Sequence, residues 1–394
     1  MRIRTLGDLG DVRGLRVLVR ADLNVPLADG DVADDFRIAA TLPTLRELLD
    51  AGCALVVASH LGRPKGAPRS DLSLAPVARR LAALLGRGVR LATDVVGPDA
   101  RAACAALRPG EVVLLENLRF EPGEEANDPA FADALAALAD RYVDDAFGAA
   151  HRAHASVAAV ASRLPSAGGR LLEREVAALS RLLDSPARPY VAVLGGAKVS
   201  DKLATLGALA ERVDALLIGG TMAFTPIAAG GGRVGVSLVE PERGPEALAV
   251  LDAAAARGVE VLLPSDVVAA SEIAPDAPTR VVPADDIPAD LRGLDIGPRT
   301  VDAFARTIAS AATVLWNGPM GVFEWPAFAA GTEGVARAIA ASPAFSVVGG
   351  GDSLLAVRRL GLEGAFGHLS TGGGASLEFL EGRDLPGLRA LEVA

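Results

Sequence analysis

The sequence is poor in the residues that mark several common protein classes. Cysteine occurs only at Cys53 and Cys104, in no metal-type or C-x-x-C spacing, so neither a disulfide framework nor a thiolate metal site is predicted. Aromatic residues make up 4% of the chain and apolar residues 51%, which predicts cores of small aliphatic side chains rather than disorder. No apolar run approaches the roughly 18–20 residues of a membrane-spanning helix, and no secretory signal is visible. We therefore expect a soluble cytoplasmic protein.

Positive charge is also scarce, and its distribution is informative. The formal net charge of −10 argues against nucleic acid or an anionic membrane as the main partner. Lysine occurs only at Lys65, Lys198 and Lys202, and the remaining cations are arginine. Since ordinary surface positions of this chain accept arginine, a retained lysine points to a place that needs a compact ammonium. Lys198 and Lys202 follow a predicted strand and a pair of glycines, which indicates a phosphate site.

Short aliphatic runs alternate with amphipathic stretches along the chain. Each run ends in a small or polar residue, as strands buried on both faces of a parallel sheet do. The predicted strands are residues 16–20, 54–59, 112–116, 190–194, 215–219, 259–263, 313–316 and 345–348. This alternation predicts the α/β class, with parallel sheets covered by helices on both faces.

The alternation pauses at residues 164–169 and restarts near residue 188. We therefore expect two domains, 1–169 and 170–381, with the helix-like segment 170–184 connecting them. Ligands of such folds gather at the carboxyl ends of the strands, so the polar residues after each run are the candidates for a site.

In the first half, strand ends are followed by a set of cations. The set consists of Arg37, Arg63, Arg119 and Arg152, with His60 beside them. Converging strand ends would bring these groups to one edge of a sheet, where arginines clamp a phosphate or carboxylate bidentately. Asp22 and Asn24 would supply acceptors and donors for a hydroxyl group.

Simpler interpretations of these residues remain open. A single arginine is most often a solvated surface residue, and a lone histidine is more often a satisfied buried polar group than a catalyst. His151 and His154 share a helix-like turn, but no glutamate completes an H-E-x-x-H pattern and no third ligand is evident. A metal at these two histidines is not predicted.

The second half has glycine-rich turns but no G-x-x-x-x-G-K-[ST] phosphate loop. The only G-x-G-x-x-G match, residues 230–235, follows a helical stretch rather than a strand, so a dinucleotide site is rejected. Residues 194–202 read as a strand, a glycine turn and a helix start that carries both lysines. A further glycine run, residues 370–376, could form a second anion-binding turn.

Residues 348–353 again read as a strand, a glycine turn and a helix N-terminus, whose amides and dipole favour an oxyanion. Asp352 has two interpretations. It is either a plain N-cap, since Asp is among the best caps, or a ligand of Mg²⁺, which prefers oxygen ligands beside phosphates.

Taken together, these motifs resemble the phosphoglycerate kinase family along essentially the whole chain. The matching stretches are residues 20–26, 60–66, 116–120, 144–156, 195–202, 293–298, 316–324, 349–353 and 370–376. The resemblance implies two Rossmann-like domains joined by a hinge, with the acyl phosphate on the first and Mg-ADP or Mg-ATP on the second. It also implies a monomer whose C-terminal tail, about 382–394, packs back on the first domain.

The resemblance also implies residue roles. The residues that would bind 3-phosphoglycerate or 1,3-bisphosphoglycerate are Asp22, Asn24, Arg37, His60, Arg63, Arg119 and Arg152. The nucleotide would be held by Gly195, Gly196, Lys202, Gly219, Gly220, Gly293, Leu294, Asn317, Glu324, Gly350, Gly351, Asp352, Ser353, Gly372 and Gly373. Arg37, Lys198 and Gly351 would act on the transferred phosphoryl group, and Asp352 would hold Mg²⁺. The implied activity is that of a phosphotransferase with a carboxyl group as acceptor. The resemblance also implies that this enzyme acts in glycolysis and that its two domains close about a hinge during the reaction.

The chain departs from the family pattern near the expected adenine slot. Thr221 stands where a third glycine is usual and Pro226 replaces a common phenylalanine, while common lysines are absent around Ala228. These changes affect the expected shape of the slot rather than the phosphate chemistry. An NAD-dependent oxidoreductase would need the missing glycine fingerprint, and a non-enzymatic descendant should have lost Arg37, Lys198 or Asp352.

Overall fold

The computed structural model describes residues 2–393. They form two compact units: the first runs up to Ala177 and resumes at Asp384, and the second extends from Ala178 to Arg383. No helix among the described residues is long and apolar enough to cross a membrane.

The first unit is built on a six-stranded parallel sheet. Its strands are β1 (Arg16–Ala21), β4 (Ala54–Ala58), β5 (Val89–Leu91), β6 (Val112–Leu114), β7 (Arg141–Asp145) and β8 (Ser166–Gly168); β2 (Leu27–Ala28) and β3 (Asp31–Val32) form a separate antiparallel pair. The order across the sheet is β5-β6-β4-β1-β7-β8, and every pairing is parallel. The carboxyl ends of β1, β4 and β7 therefore lie side by side.

Helices cover this sheet. They are α1 (Phe36–Asp50), α2 (Ala75–Leu85), α3 (Pro98–Ala105), α4 (Pro122–Glu125) and α5 (Pro129–Ala136). The next helix, α6 (Arg170–Asp184), begins in the first unit and ends in the second. Local chemistry sets their ends: the Asp128 carboxylate accepts the Phe131 amide at the start of α5, and Gly86 closes α2 in the left-handed conformation. Alternate residues of β1, such as Val17 and Val19, are fully buried in one aliphatic core with side chains of α1 and α2.

The second unit repeats the design. Its strands are β9 (Tyr190–Leu194), β10 (Ala215–Ile218), β11 (Arg233–Val234), β12 (Glu260–Leu262), β13 (Asp266–Ala270), β14 (Arg280–Pro283), β15 (Asp286–Ile287), β16 (Arg292–Ile296), β17 (Thr313–Asn317), β18 (Phe345–Gly349) and β19 (His368–Leu369). Six of them form a parallel sheet in the order β12-β10-β9-β17-β18-β19. Its helices are α7 (Leu203–Ala210), α8 (Phe224–Ala229), α9 (Gly244–Ala256), α10 (Pro298–Ala309), α11 (Ala330–Ala341), α12 (Gly351–Arg359) and α13 (Gly374–Leu380).

The C-terminal segment returns to the first unit through backbone hydrogen bonds. It contains a short helix, α14 (Pro386–Arg389), whose Gly387 amide donates to the Ala150 carbonyl at 2.9 Å. The Arg4 amide donates to the Leu391 carbonyl at 2.9 Å, and the Arg4 guanidinium donates to the Ala390 carbonyl at 2.7 Å.

The predicted fold class is confirmed, and each of the eight predicted strands is present to within two residues at either end. The expectation of a pause at residues 164–169 is wrong in one respect, because β8 lies there. This strand has only three residues, all small, so it shows no aliphatic run. The alternation pattern also gives no sign of the antiparallel sheet β14-β13-β16, in which β13 pairs with both β14 and β16.

Candidate active site

The end of β1 leads directly into the first group of candidate residues. The Arg37 guanidinium lies in the first turn of α1 and donates to the Asp22 carboxylate at 2.7 Å. Only 2% of the Asp22 side chain is exposed, whereas Arg37 is half-buried. Asp22 therefore fixes one face of Arg37, and the rest of the guanidinium remains available to an anion.

The loop after β4 is tied to its neighbours by two hydrogen bonds at Gly62. The Asn24 side-chain oxygen accepts the Gly62 amide at 2.9 Å, and Arg119 donates to the Gly62 carbonyl at 2.7 Å. Arg63, the next residue, is exposed. The segments after β1, β4 and β6 are thus held together at one edge of the sheet.

Four arginines lower the pKa of His60. Its pKa lies well below the ordinary 6.5, first because burial disfavours the cation and then because Arg20, Arg119, Arg37 and Arg152 repel it. The structure therefore brings together three of the four predicted arginines about a neutral His60, and it adds Arg20. A cluster of this charge in a chain of net charge −10 can hold a small multiply charged anion.

The two histidines considered as metal ligands have other surroundings. His154 is buried beside Glu124, with Nδ1 3.8 Å from the carboxylate, and burial together with the arginines lowers its pKa to about 4. The His151 Nε2 accepts a hydrogen bond from Arg152 at 3.2 Å. Within residues 2–393 no group of three His, Cys, Asp or Glu side chains could hold a metal ion.

In the second unit, β9 ends in the glycine turn that precedes the two lysines. The expectation of a helix start that carries both is wrong, since α7 begins at Leu203 and Lys202 occupies its N-cap position. The Lys202 ammonium donates to the Asn317 carbonyl at 2.8 Å and to the Asn317 side-chain oxygen. Burial lowers its pKa to about 8, opposed by the charge of Asp352. Lys198 is exposed in the turn.

The turn after β18 presents a helix N-terminus. Gly350, with φ of 90°, is the N-cap of α12, and Asp352 is exposed in the first turn. The N-cap interpretation of Asp352 is therefore wrong, because Gly350 occupies the cap position and Asp352 is the second residue of the helix. A Cβ on Gly351 would meet nothing within 4 Å, so this end of the helix is open. The Ser353 hydroxyl accepts the Gly318 amide at 2.7 Å.

The last glycine run follows β19. Gly373, with φ of 54°, caps α13, and the Ser370 hydroxyl accepts the Gly372 amide at 3.1 Å. Since β19 pairs with β18, this turn lies beside the turn that carries Asp352.

Several glycines of the expected adenine slot are required by close backbone approach. A Cβ on Gly195 would lie 2.1 Å from the Pro319 carbonyl oxygen, and one on Gly220 would lie 2.6 Å from the Gly196 amide. A Cβ on Gly219 would lie 2.5 Å from the Met320 sulfur. The ends of β9, β10 and β17 therefore meet with no room for side chains.

The remaining slot residues lie on β16 and on the loop after β17. The ring of Phe224 packs against Gly293, and a Cβ added to Gly293 would lie 2.1 Å from a carbon of that ring. The Leu294 carbonyl accepts the Val322 amide at 2.9 Å, which joins β16 to the loop that carries the exposed Glu324.

Comparisons with known proteins agree along the whole chain. The family model described as phosphoglycerate kinase matches residues 6–383. The chain is 58% identical over 389 residues to the phosphoglycerate kinase of Thermomicrobium roseum, with 99% of each chain covered, and 59% identical over 401 residues to that of Salinispora tropica, with 100% of each covered. The chain belongs to the phosphoglycerate kinase family. The resemblance inferred from the motifs is confirmed, and the chain is a kinase.

Solved phosphoglycerate kinases have the same fold. The enzyme from Coxiella burnetii aligns with a TM-score of 0.88 at 41% identity, over 99% of both chains. The enzyme from Pyrococcus horikoshii OT3 aligns with a TM-score of 0.86 at 34% identity, over 99% of this chain and 98% of that one.

The chemistry of Asp352 fits the Mg²⁺ that a phosphoglycerate kinase implies. The carboxylate is exposed, and its charge partly opposes the lowering of the Lys202 pKa by burial. One carboxylate beside open phosphate-binding turns is the usual protein contribution to a Mg-nucleotide site, because substrate phosphates and water supply the other ligands.

Two buried residues of this chain were missed by sequence reasoning. Arg20, 1% exposed, joins the arginine cluster from inside β1. Asp295, 3% exposed, accepts the Gly331 amide at 2.6 Å, and burial raises its pKa to about 7. Arg20 follows three aliphatic residues in β1, and Asp295 lies between Leu294 and Ile296 in β16; that local contrast was the available signal.

Proposed function

We propose that the chain catalyses the reversible, Mg²⁺-dependent transfer of a phosphoryl group from 1,3-bisphosphoglycerate to ADP, giving 3-phosphoglycerate and ATP. The convergence of arginines on the neutral His60 carries this proposal. 3-Phosphoglycerate bears a phosphate and a carboxylate, and several arginines can neutralise both while Asp22 and Asn24 contact its hydroxyl.

The substrate-binding residues proposed are those of the first unit. They are Asp22, Asn24, Arg37, His60, Arg63, Arg119 and Arg152. Arg37 is supported by its ion pair with Asp22, which holds the guanidinium in place before substrate arrives. Arg63 is supported by its position beside Gly62, the contact point of Asn24 and Arg119.

The nucleotide-binding residues proposed are those of the second unit. They are Gly195, Gly196, Lys202, Gly219, Gly220, Gly293, Leu294, Asn317, Glu324, Gly350, Gly351, Asp352, Ser353, Gly372 and Gly373. Open helix N-termini at α12 and α13 would donate amides to phosphate oxygens. Asp352 would hold Mg²⁺, which neutralises charge on those oxygens when bound.

The chemical step needs positioning and positive charge rather than a general base, because the attacking ADP oxygen is already ionised. We propose that Arg37, Lys198 and the Gly351 amide stabilise the equatorial oxygens of the phosphoryl group in flight. Hinge closure would bring Arg37 to Lys198 and Gly351 and would exclude water, which limits hydrolysis of the acyl phosphate. The exposure of Lys198 supports this role, since its side chain is accessible to a ligand.

We propose that the chain carries out this reaction in glycolysis and gluconeogenesis, and that it does so as a cytoplasmic monomer. Its partners are then the two phosphoglycerates and the adenine nucleotides.

A coupled assay of ADP formation from ATP and 3-phosphoglycerate tests the proposal. Lys198→Ala should lower kcat by about 10²–10³-fold, as loss of one donor to transition-state charge does. Arg257→Ala is the matched control, because it removes an exposed cation of the same unit far along the chain from the site. Full activity of Lys198→Ala would overturn its role, and a wild type that consumes no ATP with 3-phosphoglycerate would overturn the function.

A further inference from the structure

Arg20 is a buried guanidinium whose hydrogen-bond partners are all neutral. It lies in β1 with 1% exposure. Its Nε donates to the Ser156 hydroxyl at 2.9 Å, one terminal nitrogen donates to the Ala21 carbonyl, and the other lies 3.1 Å from the His60 Nδ1. Asp144, its partner residue on β7, attracts this charge but is not hydrogen-bonded to it. A buried cation without a hydrogen-bonded carboxylate is costly to fold, so its position calls for a functional explanation.

The contact with His60 determines the position of the imidazole proton. A guanidinium carries only donors and does not lose its proton in proteins, so Nδ1 of His60 must accept the hydrogen bond. The neutral ring then carries its hydrogen on Nε2. Nε2 has no partner among residues 2–393, and it is therefore free to donate to a ligand.

We infer that Arg20 is a positioning residue that fixes His60 as the neutral, Nε2-protonated tautomer, so that the ring presents one N–H donor to the anionic substrate. This inference rests on the proposed function for the identity of that substrate. The state of His60 itself is a property of the free protein. The low pKa of His60 agrees with it, since Arg20, Arg119, Arg37 and Arg152 all disfavour a second proton on the ring.

Arg20 also links β1 to the segment that carries Arg152. The Ser156 hydroxyl, which accepts from Arg20, donates to Glu124 at 2.6 Å, and the Ser156 amide donates to the same carboxylate at 2.9 Å. The Tyr142 hydroxyl donates to the Ser156 carbonyl at 2.7 Å. The contacts of Arg20 with Ser156 and with His60 can be removed separately, because Ser156 contacts Nε of Arg20 while His60 contacts a terminal nitrogen.

The first test needs no variant. Long-range ¹H–¹⁵N correlations of the imidazoles in the free wild-type protein should show His60 as Nε2-protonated and without titration near its ordinary pKa of 6.5. A His60 that is protonated on Nδ1, or that becomes a cation between about pH 6 and pH 7, would overturn the inference. This outcome is independent of whether the wild type turns over 3-phosphoglycerate.

Variants then connect the tautomer to binding. Arg20→Met should give a mixture of His60 tautomers, a pKa closer to 6.5 and a KM for 3-phosphoglycerate raised about tenfold, with the KM for ATP unchanged. Ser156→Ala is the matched control, because it removes the Nε partner and should keep the tautomer. An Arg20→Met variant with wild-type tautomer and KM would overturn the role of Arg20, as would a Ser156→Ala variant that loses the tautomer equally. If Arg20→Met fails to fold, Arg20→Gln provides the comparison, because its neutral amide can donate or accept and so does not require Nδ1 of His60 to accept.

Discussion

Replacement of Asp145 tests how the buried carboxylates of the first unit control stability. One oxygen of Asp145 accepts the Leu171 and Leu172 amides at 2.9 and 3.3 Å, and the other accepts the Thr41 hydroxyl at 2.8 Å. Asp145 is thus an N-terminal cap of α6 supplied from β7. Burial raises its pKa from the ordinary 3.8 to about 7.

The sign of the pH dependence follows from that shift. A carboxyl with a raised folded-state pKa stabilises the fold fully below 3.8, and the contribution is lost as the pH rises through about 7. Asp145→Asn keeps an acceptor for the two amides but does not titrate. The stability advantage of the wild type over this variant should therefore fall with pH, by up to ~1.4 kcal/mol per pH unit.

Urea unfolding followed by far-UV circular dichroism measures the effect. Between about pH 5 and about pH 8 the difference in unfolding free energy between the wild type and Asp145→Asn should shrink by about 2–3 kcal/mol. Asp144, whose pKa burial raises to about 6, is present in both proteins and cancels in the difference. A difference that is constant or grows with pH would refute the account of Asp145.

Three further predictions concern the second unit and the cysteines. Gly195→Ala should raise the KM for ATP, because its Cβ would lie 2.1 Å from the Pro319 carbonyl oxygen. The control Gly207→Ala in α7 meets nothing within 4 Å and should raise the thermal midpoint of unfolding. Equal effects of the two variants on the KM for ATP and on the thermal midpoint would contradict this account. Nucleotide affinity, measured by calorimetry, should fall as the pH rises through about 8, where Lys202 loses its charge, and Lys202→Arg should abolish that dependence. Both cysteines are buried with pKa values raised to about 11, so rapid alkylation of the native protein by iodoacetamide would contradict the structure.

The sequence was sufficient to predict the two parallel sheets because their strands are buried on both faces. Runs such as that of β9, which is fully buried, have no other common explanation in an α/β chain. The same reasoning located Arg37, Arg119 and Arg152, since residues after parallel strands meet at one edge of the sheet.

What the sequence could not predict depends on contacts between distant residues. Arg20 and Ser156 are 136 positions apart, and nothing local to either indicates their hydrogen bond. The hydrogen bond from the Lys202 ammonium to the Asn317 carbonyl, 115 positions away, is likewise invisible in the sequence around either residue. The sequence left Asp352 open between helix cap and metal ligand, and the start of α12 at Gly351 shows that Gly350 is the cap.

The central claim is that the first unit binds the acidic substrate and the second unit binds the nucleotide. Arg63 and Asp352 test it best, because both side chains are exposed and their removal leaves the cores intact. Steady-state kinetics should show that Arg63→Ala raises the KM for 3-phosphoglycerate about tenfold with little change in the KM for ATP, and that Asp352→Ala does the reverse. Variants that raise both KM values equally, or that show the opposite pattern, would contradict the claim.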